Sequence, residues 1–224
     1  MVCGLMLDRP PRAARGSARD KLLNAAIDLF GSRGFDGVST REIAARAGVN
    51  IAGIAYQFGG KEELYRACIA HIAGFVQSRM VQQALAQPAS DVDPRKALET
   101  LCLRFARFMV ATQEMERFAR MVVREQMDPT PAFDILYDSV FAPMHAGACA
   151  LWAKVTGGDP ESQAVKLAVF GVLGNILMFR MARAGVMRRL DWTSIGETEV
   201  AVIETQLRHT LAAALSSFRL GDAS

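Results

Sequence analysis

Between Thr40 and Lys61 the chain reads TREIAARAGVNIAGIAYQFGGK, a segment of amides, small residues and aromatics with the cations Arg41 and Lys61 near its ends. These residue types suit recognition: amides pair with base edges, small apolar groups meet thymine methyls, and cations meet phosphates. Their spacing supplies a frame. Counted from Thr40, Ala44 falls where two short helices cross closely, Gly48 where the turn needs a positive φ, and Ile54 where the second helix buries an aliphatic side chain. Ser39 with Glu42 three residues on makes a capping box for the first of these helices, and Asn50 is the cap candidate for the second.

On that helix-turn-helix, Ile51, Ala52 and Gly53 are small or apolar enough for close groove approach, while Asn50 and Gln57 pair with base edges or phosphate. Tyr56 is assigned to DNA contact, with burial of its ring as the rival, and Phe58 to the core. Arg41 is either a phosphate contact or a solvated surface charge; Lys61 is the stronger phosphate candidate. Ahead of the motif, Arg9, Arg12 and Arg15, interrupted by Pro10 and Pro11, make residues 1–16 a flexible basic arm that either follows the minor groove or is simply disordered.

The elements that position these groups are helical throughout, with no run of alternating strand pattern. Ser17 with Asp20 opens a first helix burying Leu22, Ala26, Leu29 and Phe30, so residues 17–61 form a three-helix DNA-binding domain. Residues 62–220 form a larger helical ligand-binding and dimerisation domain, bringing the total to about nine helices. A fourth helix runs from Glu62 to near Gln87; Asp93 and Pro94 open a fifth, and a sixth covers Met115 to Gln126. After Asp128–Pro131 a seventh continues to Gly157 with a kink at Pro143. Asp159 and Pro160 cap an eighth reaching about Ala184, and a ninth runs from Glu197 to Phe218.

Composition narrows the class. Residues 1–61 hold 9 Lys/Arg against 5 Asp/Glu (+4), and residues 62–224 hold 17 against 18 (−1), so the excess of the net +3 sits with the motif. The 13-residue uncharged run Leu167 to Phe179 falls short of the roughly 20 residues a membrane span needs and reads as a buried helix. The N-terminus lacks secretory order, so no membrane partner is expected and the location reads as cytoplasmic. Cys3, Cys68, Cys102 and Cys149 are too scattered for a disulfide framework and read as reduced thiols. Cys68 and His71 share a helix face, but without further ligands packing is preferred over zinc, and neither metal nor cofactor is expected.

The helix-turn-helix and the string GVNIAGIAYQFGGKEELY at Gly48 to Tyr65 resemble the TetR/AcrR family of bacterial transcriptional regulators, and REQMDPTPAFDILYD at Arg124 to Asp138 is similar to the signature of its CecR-like subgroup. The resemblance implies a homodimer that represses from a palindromic double-stranded operator and lets go when a small-molecule effector, of unknown identity, enters the larger domain. It matches Lys61 to the family's phosphate-binding lysine. Three positions depart: Ala55 stands where the family usually has tyrosine, Gln57 where it often has histidine, and Gly60 where serine often caps the fourth helix.

For the effector, polar or amphipathic groups among Met and aromatic residues nominate Phe108, Met121, Arg124, Trp152, Met178 and Phe179, each with plain core as the alternative. Arg124 beside Glu125 calls for an internal salt bridge or an anionic ligand. Dimer contacts are assigned to Phe170, Gly171 and Gly174 in the eighth helix and to Ile203, Leu207 and Leu211 in the ninth, against the alternative that both stripes pack inside one subunit. With no nucleophile and base, paired carboxylates, metal cluster or phosphate loop, an enzyme is the least favoured reading. A helical interaction or ligand-binding protein with a non-functional head, suggested by Ala55 and Gln57, is the other rival.

Overall fold

The computed structural model describes residues 17–85 and 93–218, and all regular structure among them is helical. The chain divides into two compact units, Met1–Ala67 and Cys68–Ser224.

Three short helices build the first unit: α1 (Ala18–Arg33), α2 (Thr40–Ala47) and α3 (Ala52–Phe58). Helices of 8 and 7 residues have little stability of their own and depend on their ends and their packing. Capping boxes supply the ends of α1 and α2: Ser17 with Asp20, and Ser39 with Glu42. Gly48 closes α2 in the left-handed region, at φ 62°, where a Cβ would be strained. Leu22, Ile27, Phe30, Ile43 and Ile54 lose almost all solvent contact, and Phe30, Phe35 and Tyr65 pack as an aromatic trio.

The long helix α4 (Lys61–Leu85) runs without interruption across the division between the units. In the second unit follow α5 (Pro94–Ala111), α6 (Gln113–Met127), a four-residue α7 (Phe133–Leu136), a π-helical turn (Tyr137–Phe141), α8 (Ala142–Thr156), α9 (Gln163–Met181), α10 (Arg183–Arg189) and α11 (Glu197–Ser217). Its core is apolar, formed by Leu98 and Cys102 of α5, Trp152 of α8, Val169 and Ile176 of α9, and Ile203, Leu207 and Leu211 of α11. Ion pairs Arg107–Glu204 and Arg208–Glu99, at 3.0 and 2.9 Å, tie α5 to α11 at the rim. Cys68, Cys102 and Cys149 are buried and form no disulfide among the described residues, and burial pushes the Cys102 thiol up to about 12.

Three expectations change. The seventh helix is not merely kinked: it divides into α7, the π-helical turn and α8. Pro143 has no amide to give the carbonyl four residues back, and Gln77 of α4 supplies the missing donor, its Nε2 lying 2.9 Å from the Ser139 oxygen. Asp159 and Pro160 form a turn in which Asp159 accepts from the Glu161 amide; α9 starts at Gln163, capped by Ser162. That helix then ends at Met181 and gives way to α10, which raises the helix number beyond nine. Finally, α9 is not a buried helix. Over its 19 residues it is long and apolar enough to cross a membrane, yet only 33% of the most apolar stretch is buried, and Leu167, Phe170, Met178 and Met181 are each about 60% exposed.

Candidate nucleic-acid interface and effector-binding body

On α3, burial and exposure separate the residues cleanly. Ile54 is 2% exposed and anchors the helix, whereas Ile51, Ala52, Ala55 and Tyr56 stand on the open face. At 87% exposure the Tyr56 ring is not part of the core, which removes the burial alternative. Asn50 is not the cap of α3, a place taken by Ile51 without a side-chain hydrogen bond, but its Oδ1 accepts from the Ala52 amide at 2.9 Å and so still braces the entry of the helix. Gly53 has a packing reason to be glycine, since a Cβ there would lie 3.0 Å from the Val49 methyl and 3.7 Å from Leu22. The structure therefore explains Gly53 by close packing within the unit, where the sequence reading explained it by groove approach. Gln57 is half-buried at the edge of the open face, and the half-buried Phe58 ring carries the Arg19 guanidinium, 5.0 Å from its centroid.

The cations differ in freedom. Arg41, in the first turn of α2, is exposed. Lys61 is half-buried with Nζ 4.3 Å from the centre of the Phe35 ring, a cation–π contact that positions the ammonium. Glu42 is held by the Ser39 amide and by Arg33 at 2.8 Å, and these bonds take its carboxyl from the ordinary 4.5 to about 2. Arg9, Arg12 and Arg15, with the rest of the arm at 1–16 and Cys3, lie outside the described residues.

In the second unit a small apolar cavity of about 30 Å³ is lined by Arg79 and Met80 of α4, Phe105 and Phe108 of α5, Met144 of α8 and Leu173 of α9. That is room for a water or two, against roughly 300–1,000 Å³ for typical ligand pockets. Of the six effector candidates, Phe108 alone lines it. Met121 and Trp152 are fully buried core residues, Phe179 packs half-buried against the core, and Met178 and Arg124 face solvent. These six therefore do not converge on one site. Glu125, not Arg124, is the buried charge of that pair; its carboxylate accepts from the Thr130 amide and hydroxyl at 3.2 and 3.1 Å. The Thr130 hydroxyl in turn accepts from the Ala132 amide, fixing the turn into α7.

The interface candidates separate as well. Phe170, Gly171 and Gly174 lie open on α9, and a Cβ at either glycine would meet nothing within 4 Å, so their smallness serves no contact inside the protomer. Ile203, Leu207 and Leu211 are 3, 5 and 4% exposed and are used up in the protomer core. The outward side of α11 carries Val202, Thr205, Gln206 and His209 instead. Sequence periodicity found the apolar stripe of α11 but had no means of telling an inward stripe from an outward one. It also missed Gln77, whose signal was Pro143, and the buried Arg180.

A helix-turn-helix unit followed by a helical body of this kind defines a bacterial transcriptional regulator, not an enzyme. Residues 22–68 match the family described as "Bacterial regulatory proteins, tetR family", and residues 94–217 match the "HTH-type transcriptional dual regulator CecR, C-terminal domain". The HTH-type transcriptional dual regulator CecR of Shigella flexneri is 33% identical over 207 residues, 88% of this chain and 91% of that one. The chain belongs to the TetR family of transcriptional regulators and carries a C-terminal domain of the CecR type. Among solved structures, a TetR-like regulator from Rhodococcus sp. RHA1 superposes with a TM-score of 0.63 at 21% identity, covering 90% of this chain and 99% of that one. A regulator from Saccharomonospora viridis, solved in complex with choline, gives 0.63 at 15% identity over 87% of this chain and 95% of that one. These two show the shared fold.

Proposed function

We propose that this chain binds a palindromic operator as a homodimer, reads it with α3, represses transcription there, and is released when a small molecule occupies the second unit. The observation that carries the reading is the open face of α3: Ile51, Ala52, Ala55 and Tyr56 project side by side while Ile54 fastens the helix from behind. Asn50 and Gln57 serve as polar contacts beside that face, and Arg41 and Lys61 as phosphate contacts. Gly53 contributes by bringing α3 close to its own core.

Support for the dimer comes from the outer face of α9. Leu167, Phe170, Gly171, Gly174, Met178 and Met181 recur at three and four residues and leave a continuous apolar strip in water. Two such strips related by a two-fold axis bury one another, and two α3 helices then face successive major grooves. That the Shigella relative is a dual regulator supports a second reading in which the same dimer also activates some promoters. Effector entry has to enlarge the cavity beside Arg79, Phe105 and Phe108, and α4, which contributes Arg79 and Met80 and starts at Lys61, is the lever. A ligand acts only through its preference for one arrangement over the other.

Phe170→Glu, a charge placed at the middle of the strip, tests the assembly. Sedimentation at micromolar concentration should show a dimer for the parent chain and a folded monomer for the variant. A parent chain that sediments as a monomer would refute the dimer.

A further inference from the structure

Ten described residues line the cavity of the second unit, and Arg79 alone among them carries a charge. The other side-chain heteroatoms in the wall are the sulfurs of Met80, Cys102 and Met144, and burial keeps the Cys102 thiol neutral. None of the ten offers an occupant a carboxylate, amide or hydroxyl side chain. A sugar or a nucleoside would leave its own hydroxyls and amides unpaired there, a cost that disfavours both. The part of a ligand that enters is therefore hydrocarbon.

Arg79 is exposed, so the cation marks the solvent end of this wall. Its guanidinium carbon lies 5.4 Å from the centre of the Phe75 ring, and Phe75 stacks on the cavity-lining Phe108 with centroids 6.1 Å apart. The guanidinium thus sits over an aromatic ring, which restrains it beside the cavity. It makes no ion pair with any described residue. Its edge donors are left for a ligand, and their planar fork matches the two oxygens of a carboxylate. The volume of about 30 Å³ is most readily enlarged at Met80 and Met144, half-buried unbranched side chains that adapt to an occupant. A slim chain asks less of them than a fused ring system.

We propose that the cavity takes an amphipathic carboxylic acid, its apolar chain between α4, α5, α8 and α9 and its carboxylate on Arg79. The inference rests on the reading of the second unit as the effector-binding body, and it names the chemical class of the effector.

The test titrates the full-length protein, without DNA, with hexanoate, 1-hexanol, hexylammonium and acetate at neutral pH and one ionic strength, read by calorimetry. Hexanoate should bind the parent chain about three- to tenfold more tightly than 1-hexanol, a modest margin because Arg79 is exposed. The margin should shrink as sodium chloride rises. Hexylammonium should bind more weakly than 1-hexanol, and acetate, a head without a chain, should not bind measurably. Arg79→Met keeps an apolar stem and loses the charge; it leaves the core untouched and should bind hexanoate and 1-hexanol alike. Ala148→Leu fills the cavity and should weaken both together. Equal binding of hexanoate and 1-hexanol by the parent, or a preference for hexanoate that survives in Arg79→Met, would overturn the carboxylate assignment and leave the effector-binding body standing. Absence of binding by either probe in the millimolar range, or binding that Ala148→Leu leaves unchanged, would overturn the assignment and the effector reading of this cavity together.

Discussion

The two units solve the same problem, holding short or exposed helices in place, by different means. In the first, α2 and α3 have 8 and 7 residues, and their placement depends on local signals: a capping box, a left-handed glycine, an asparagine at the entry of α3. In the second, α9 and α11 have 19 and 21 residues and are placed by long-range packing. Their capping is sparser, with α11 having only Glu199 folded back on the Gly196 amide. The first unit leaves Ile51, Ala52, Ala55 and the hydroxyl-bearing Tyr56 exposed on α3, with the polar Asn50 and Gln57 beside them; the second leaves a wholly apolar strip exposed on α9. A surface of the first kind suits a hydrated, charged duplex, and one of the second kind suits another protein surface. Exposure thus says different things in the two units, and residue type decides which.

The largest expected effect breaks the first unit at the buried residue of α3. Ile54→Ala removes a fully buried aliphatic group and should cost about 2–5 kcal/mol, read as a lower denaturant midpoint and loss of DNA binding. An unchanged midpoint would mean that α3 is not held by its inward face. A smaller effect sharpens the account of the second unit. Gln77→Ala deprives the Ser139 carbonyl of its donor next to Pro143 and should cost about 0.5–1.5 kcal/mol by the same measurement. The faster amide exchange that accompanies it should be confined to Tyr137–Phe141 and the start of α8.

The smallest effect is one of pH. Glu42 titrates lower in the folded state, near 2, than its ordinary 4.5. Its contribution is therefore complete above about pH 4.5 and fades as pH falls toward 2. Glu42→Gln should flatten that part of the midpoint-against-pH curve relative to the parent. Superimposable curves for the two proteins would show that the Ser39–Glu42 box does not hold in solution.

What the sequence made legible follows the same division. Ser17, Ser39 and Gly48 announced the first unit because each acts within a few residues of its own position, and Ile54 because a helix this short has one buried aliphatic place to fill. The twin glycines of α9 were legible as permitting close helix approach, but the exposure of the helix that carries them was not. Ile203, Leu207 and Leu211 were legible as apolar and periodic, but which way they faced depended on α5 and α9 folding against them, contacts between helices distant in sequence that no local pattern encodes. The break of α9 at Ala182 was missed because no proline or glycine marks it. The π-helical turn was half legible: Pro143 declared a defect, and the donor that repairs it, Gln77, stands 62 residues from Ser139. The effector candidates scattered for a related reason, since Met and aromatic residues fill cores as readily as they line pockets.

The central claim is that the open face of α3 reads duplex DNA. Ala52→Asp places an acid on that face without touching the buried Ile54. Duplexes recovered by the parent chain from a random pool, titrated by fluorescence anisotropy at rising salt, should bind with an affinity that falls steeply as counterions are released. The variant should bind at least about tenfold more weakly with its thermal midpoint unchanged. Equal affinity of the two proteins for the selected duplex, or no preference by the parent for any duplex in dilute salt, would contradict the account.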